Sequence, residues 1–193
     1  MMPRSFRCLR VALVPAFLAG CGTTAPSHFY SLESTAAASG APSAHCAVMV
    51  GEVVIPEAVD RPEFVVQTAP NRVDVDEFNR WAAPLGNAIA NTVAGDLAVL
   101  LGTPNVAAAP LANLDPDYQV TINVQRFESV RGEAALIDAL WTVQKTGDGP
   151  ARPGRTLARE PVQGQGYDAL AAGHSRALAT LSTDIAAAIQ CRR

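Results

Sequence analysis

The run Asp117-Tyr118-Gln119-Val120-Thr121-Ile122-Asn123-Val124-Gln125-Arg126-Phe127 decides the fold. Tyr118, Val120, Ile122 and Val124 fall on one side of an extended chain, and Gln119, Thr121, Asn123 and Gln125 on the other. This is the period-two pattern of a strand with one dry face. At Arg126-Phe127 the phase slips by one residue, which predicts a bulge or a strand end. Arg131-Gly132-Glu133 then turns the chain into a second strand from Ala134 to Lys145, so the predicted unit is a long β-hairpin.

The flanking segments supply its neighbours. Downstream, Gly147 to Gly154 reads as a Gly/Pro loop, and Thr156 to Gln165 as an edge strand whose ladder Pro161 and Gly164 limit. Tyr167, Leu170, His174, Ala177, Leu178, Leu181, Ile185, Ala188 and Ile189 then mark an amphipathic helix ending near Cys191. Upstream, the β-branched run from Ala47 to Ile55 stops at Pro56, as a mostly buried strand should. Glu63 to Thr68 and Arg72 to Val75 read as a hairpin around Ala69-Pro70-Asn71. Pro84 suits a first helical turn, and Leu85, Ile89, Val93, Leu97, Leu100 and Leu101 carry the helix to Gly102. The order is strands, helix, strands, helix, and the reading places one helix on each side of the sheet.

The first twenty residues have the layout of a secretory signal, with Arg4, Arg7 and Arg10 before the apolar run Val11 to Ala19. That run is shorter than the roughly 20 residues that span a bilayer. Leu18-Ala19-Gly20-Cys21 matches the lipobox of bacterial lipoproteins, in which the cysteine is acylated and becomes the mature N-terminus. Residues 1–20 are therefore expected to be removed, residues 21–45 to be a lipidated tether, and 46–193 to be one domain. Ser34 to Ala44 is Ala/Ser/Gly/Pro-rich and reads as linker or loop. In lipoproteins of this type an Asp directly after the acylated cysteine commonly signals retention at the inner membrane. The residue here is Gly22, which favours the periplasmic face of the outer membrane.

The mature chain keeps twelve of fifteen basic residues and all eighteen acidic ones, for a net charge of −6, and Lys145 is its one lysine. Nucleic acid and anionic lipid headgroups both reward clustered cations, so neither is an expected partner. Cys8 leaves with the signal and Cys21 takes the lipid, which leaves Cys46 and Cys191. In an oxidising compartment they form either the one intramolecular bridge available or two buried thiols.

Motifs for catalysis are scarce. Gly173-His174-Ser175-Arg176-Ala177 superficially resembles a nucleophile elbow, but it ends in Ala and lies inside a helical pattern, not at the sharp strand-to-helix turn an elbow needs. His28, His45 and His174 are far apart in sequence and show no metal-ligand spacing, and no phosphate-binding loop is present. No catalytic residue, metal or cofactor is assigned, and the expected class is non-enzymatic. Trp81 either staples the following helix to the sheet or anchors a partner.

A set of segments carries a family resemblance. It comprises Phe29-Tyr30-Ser31-Leu32, Val53-Val54-Ile55-Pro56, Arg61-Pro62 before Phe64-Val65-Val66, and Arg80-Trp81-Ala82-Ala83-Pro84-Leu85. Asp117-Tyr118-Gln119-Val120, Trp141, Tyr167-Asp168-Ala169-Leu170 and Leu181-Ser182-Thr183-Asp184-Ile185 follow in order. With the lipobox, this series resembles the PqiC family, the ABC-type transport auxiliary lipoproteins, over nearly all of the mature chain. Where the family often has Glu at the second position after the tryptophan, this chain has Ala83, so no charge-based role is carried over there.

The resemblance implies a three-layer α/β domain with a mixed, mostly antiparallel sheet and two main helices. It further implies an accessory lipoprotein, held by its N-terminal lipid, that works with an MCE-domain periplasmic protein and its membrane transporter in lipid traffic between membranes, and that forms homo-oligomers. Arg61, Trp81, Pro84 and Leu85 are the signature residues and candidate partner-binding positions. A structural envelope lipoprotein that assists outer-membrane or division machinery is the competing reading, and a lipid carrier in its own right would need an enclosed apolar cavity.

Overall fold

A computed structural model describes residues 25–38, 45–109, 115–147 and 149–191. The elements are β1 His28–Tyr30, β2 Val48–Val54, a single 3-10 turn Glu57–Val59, β3 Glu63–Ala69, β4 Arg72–Trp81, α1 Leu85–Leu101, β5 Val106–Ala108, β6 Tyr118–Val130, β7 Ala134–Lys145, β8 Ala151–Pro161 and α2 Tyr167–Ala188.

The alternating run becomes β6, the strand around which the sheet is built. One of its edges pairs antiparallel with β7 along the full length, from Tyr118 opposite Lys145 to Val130 opposite Ala134. The other edge is shared: β2 pairs parallel with its first half, and β3 reaches its end through Gln67 and Val130. The phase slip is a bulge at Gln125, between the pairs Val124 with Ala139 and Arg126 with Asp138. It returns Phe127 and Ser129 to the buried side while Arg126 stays outside. β8 extends the sheet beyond β7 antiparallel, β5 lies parallel to β2, and β1 lies parallel to the end of β4. The result is a mixed eight-stranded sheet, open at its edges, with antiparallel ladders as its longest.

Helix α1 begins after Pro84, whose ψ of 126° keeps it outside the helix, and ends at Gly102, whose φ of 63° only glycine adopts at little steric cost. Asn71 also has a positive φ, 63°, and closes the β3–β4 turn. Leu85, Ile89, Val93 and Leu97 from α1 and Leu170, Leu178, Leu181 and Ile185 from α2 are buried in one apolar cluster with the inward residues of β2, β3, β6 and β7. Each such side chain contributes about 1.5–3 kcal/mol by leaving water.

The α/β class, the mixed sheet and the two helices agree with expectation; the layering differs. α1 packs on β2 and β5, α2 on β7 and β8, and the two helices touch each other. Both cover the same side, and Gln119, Thr121, Asn123 and Gln125 on the opposite side are exposed. The domain has two layers, not three: the alternate residues of β6 that face away from the helices are polar and stay in water, so the centre of the sheet offers no second dry face to cover.

Two boundaries also move. β4 runs on past Val75, where the predicted strand ended, to Trp81. β8 starts at Ala151, inside the predicted Gly/Pro loop, because Gly154 sits opposite Trp141 and a Cβ there would collide with the indole ring. The short strand β5 has no sequence pattern of its own. Among the described residues no helix is long and apolar enough to cross a membrane.

Candidate functional site

The signature residues divide between core and surface. Trp81, at 5% exposure, closes β4 and stacks on Phe64 with ring centroids 4.3 Å apart; Leu85 is buried one helical position after Pro84. Of the two roles open to Trp81, the structure displays the packing one. Arg61 and Pro84 are exposed at the same end of the sheet, where the Trp81 N–H donates to Pro62 O at 2.7 Å. Arg61 makes no ion pair with any described residue.

Trp81 belongs to an aromatic box that ties the sheet to α2. Phe64, Tyr30 and Tyr167 meet edge to face or tilted at 5.1–5.9 Å, and Phe127 stacks on the His174 ring at 3.8 Å. His174 is fully buried, its Nε2 lies 2.8 Å from Ser129 Oγ, and its Nδ1 has no partner among the described residues. Burial pushes its pKa down to about 3, so the ring is neutral. At the rim of the box the Tyr167 hydroxyl donates to Asp76 Oδ2 at 2.7 Å and accepts from Arg131 at 2.9 Å. That hydroxyl holds the Asp76 carboxyl below the usual carboxylate range.

A second cluster has no counterpart in the sequence reading. Asp96, in the middle of α1, is fully buried. Its Oδ1 accepts from Ser34 Oγ at 2.6 Å and from the Thr35 and Ala36 N–H groups at 3.0 Å each, and Ser182 Oγ on α2 donates to its Oδ2 at 3.1 Å. A buried carboxylate is tolerated when surrounded by donors in this way. Ser175 completes the cluster: its Oγ accepts from Glu33 N–H at 3.1 Å and donates to Ala171 O, and its carbonyl accepts from Thr35 Oγ1. The serine of the elbow-like motif thus holds a passing chain, and among the described residues its hydroxyl bonds only backbone groups.

The segment Ser34 to Ala44, read as linker, therefore begins as a fixed clamp. Residues 39–44 lie outside the described residues, as does Cys21. The clamp was hidden in the sequence because Ser34, Thr35 and Ala36 act through their backbone and one hydroxyl against a carboxylate some 60 positions away.

Cys46 and Cys191 form a disulfide with Cα atoms 5.5 Å apart, which closes the start of β2 onto the end of α2. Next to it the Tyr118 hydroxyl donates to Gln190 O and Arg152 donates to Ala188 O, satisfying carbonyls at the helix terminus. Among the described residues no three metal-ligating side chains converge.

Comparison with known proteins adds the family. The profile described as "ABC-type transport auxiliary lipoprotein component" matches residues 30–186. The intermembrane transport lipoprotein PqiC of Escherichia coli (strain K12) is 26% identical over 162 residues, which is 82% of this chain and 84% of that protein. The protein XCC0632 from Xanthomonas campestris superposes with a TM-score of 0.69 at 20% identity, covering 83% of this chain and 93% of that one. A further uncharacterised protein superposes with a TM-score of 0.67 at 24% identity, covering 86% of this chain and all of the other. The two solved structures share the fold.

Proposed function

The chain belongs to the ABC-type transport auxiliary lipoprotein family, and we propose that it is a non-enzymatic accessory subunit of an intermembrane lipid transport system, anchored by acyl groups on Cys21 to the periplasmic face of the outer membrane. Residues 1–20 are removed on export, and the two or three acyl chains of a mature lipoprotein, at about 0.8 kcal/mol per buried methylene, hold the domain without a spanning helix. Its partners are an MCE-domain periplasmic protein with its membrane transporter, and further copies of itself.

The observation that carries this reading is the family match across residues 30–186, joined to the similarity to the E. coli intermembrane transport lipoprotein. The architecture is compatible with it: an apolar core with, among the described residues, no convergent set of metal-ligating groups, a chain strapped to the domain after β1, and an exposed sheet face. Arg61 and Pro84 are the signature positions that remain available to a partner, since Trp81 and Leu85 are occupied by packing.

The test is crosslinking in intact envelopes followed by affinity capture of the full-length protein and identification of what it holds. The expected result is an MCE-domain protein, with recovery reduced in Arg61→Ala but not in a variant of the exposed Arg159. Capture of a β-barrel assembly or division complex in its place would establish the competing structural role. Light scattering of the acyl-free mature protein is expected to give a defined oligomer, and a strict monomer would contradict self-association.

A further inference from the structure

The sheet face turned away from the helices is not uniformly polar. Opposite the buried Phe64 and Val66, the outward residues Val65 and Gln67 of β3 pair with Val75 and Val73 of β4. At the neighbouring edge Phe29 of β1 pairs with Arg80, which in turn pairs with Glu63. Phe29 is 64% exposed, Val73 57% and Val75 42%, and Phe78, in the β4 bulge between the Phe64 and Glu63 pairings, is also exposed.

The patch runs into a groove of about 320 Å³ lined in part by Val59, Val65, Val73 and Phe127, with Arg72 and Arg126 among its walls. On this face Arg80 is paired with Glu63 and Arg126 with Glu128, while Glu77, next to Phe78 in the bulge, is exposed and has no ion pair among the described residues. Arg72 has no carboxylate partner among the described residues and donates to Thr68 Oγ1.

The covalent path from Cys21 reaches this face by a short route. His28 is the first residue held in the sheet, seven residues from Cys21, so an extended lead spans at most about 24 Å. The clamp at Asp96 and Ser175 fixes the chain directly after β1; without it and β1, the first tie would be near Cys46, and the reach would rise to about 85 Å. Because β1 runs parallel to β4, the lead leaves on the side of Phe78, Val75 and Val73 and not on the side of Ala82.

We propose that this outer face of β1, β3 and β4 is a membrane-docking surface, with Phe29, Val73, Val75 and Phe78 seated at the headgroup boundary of the bilayer that holds the lipid. The Asp96 clamp keeps the lead short enough to press the face there. The proposal rests on acylation of Cys21. A lead of seven residues leaves little room for a second protein between the root of the tether and the lipid, which argues for the bilayer as occupant over another copy.

The experiment uses the full-length, acylated protein in vesicles of phosphatidylethanolamine with phosphatidylglycerol as the minority component. Because Cys46 and Cys191 are bonded to each other, a thiol introduced by Phe29→Cys, Val75→Cys or Leu157→Cys can be labelled alone with an environment-sensitive dye. Probes at positions 29 and 75 are expected to shift to the blue on reconstitution. Nitroxide lipids are expected to quench them roughly twofold more than at position 157 on β8, as befits side chains at the headgroup and acyl boundary.

Adding Asp96→Ala, or Thr35→Pro, which removes one clamp N–H and the Thr35 hydroxyl bond to Ser175 O without touching the core, is expected to reduce that quenching while vesicle binding persists. Unchanged quenching in both would refute the role of the clamp. Probes at 29 and 75 as water-exposed as the one at 157 would overturn the docking surface, as would a blue shift that grows with protein density, which would assign the face to a second copy. Failure of the unaltered protein to float with vesicles would refute the acyl anchor itself, a failure read separately from the dye signal.

Discussion

Lowering the pH from 7 to 5 should destabilise this domain by about 2 kcal/mol through one residue, His174, whose pKa falls from 6.5 to about 3 on burial. The sign follows from proton uptake. The folded ring stays neutral down to about pH 3, whereas the unfolded chain binds a proton below 6.5, so stability is fully present above pH 6.5 and drains as the pH falls. The full shift corresponds to roughly 5 kcal/mol at about 1.36 kcal/mol per unit, reached only near pH 3, where carboxylates also titrate. Between pH 7 and 5 ordinary carboxylates are nearly silent, which isolates the histidine.

The ring cannot relieve the cost locally: Phe127 and Trp81 flank it, Ser129 Oγ occupies Nε2, and Nδ1 is orphaned among the described residues. Urea unfolding followed by tryptophan fluorescence at pH 7, 6 and 5 should show the midpoint falling by roughly 1 M, given an ordinary denaturant slope for a domain of this size. His174→Leu combined with Ser129→Ala, which leaves no hydroxyl orphaned, should flatten the dependence. A wild-type midpoint that does not move between pH 7 and 5, or a double variant with the same slope, would refute the reasoning.

Trp81→Ala should cost about 3–5 kcal/mol in urea stability by emptying the aromatic box, and a loss under 1 kcal/mol would return Trp81 to the role of partner anchor. Breaking the Cys46–Cys191 bridge, which spans 145 residues, should lower stability by up to about 5 kcal/mol in the chain-entropy description; comparing Cys46→Ser/Cys191→Ser with the parent in the same assay measures it. Gly154→Ala should cost about 1–3 kcal/mol because the new methyl meets the indole of Trp141, and Trp141→Leu should recover much of that loss in the double variant, read as non-additive midpoints.

Much of the candidate site was visible at the level of residue type and invisible at the level of contact. Trp81 and Pro84-Leu85 were legible because a tryptophan before a proline-started helix has few roles, and choosing between them needed the stack on Phe64. His174 and Ser175 drew attention for a catalytic pattern they do not form, when their uses are a buried hydrogen bond to Ser129 and a tie to the passing chain. Asp96 gave no signal, since one acidic residue in a helix reads as solvated surface until the donors of Ser34, Thr35, Ala36 and Ser182 are brought round it.

The sequence by itself determined whatever depends on near neighbours. The bulge at Gln125, the hairpin turned at Gly132 and the stop of α1 at Gly102 are each written within a few residues, because backbone sterics and side-chain period act over that range. Which side of the sheet receives the helices, that β2 and β3 share one edge of β6, that a glycine of β8 stands opposite Trp141, and that the segment after β1 is clamped to a buried carboxylate were decided only in three dimensions. Those features join residues far apart in the chain, and their energies come from burial and from pairing polar groups away from water, neither of which a local pattern encodes.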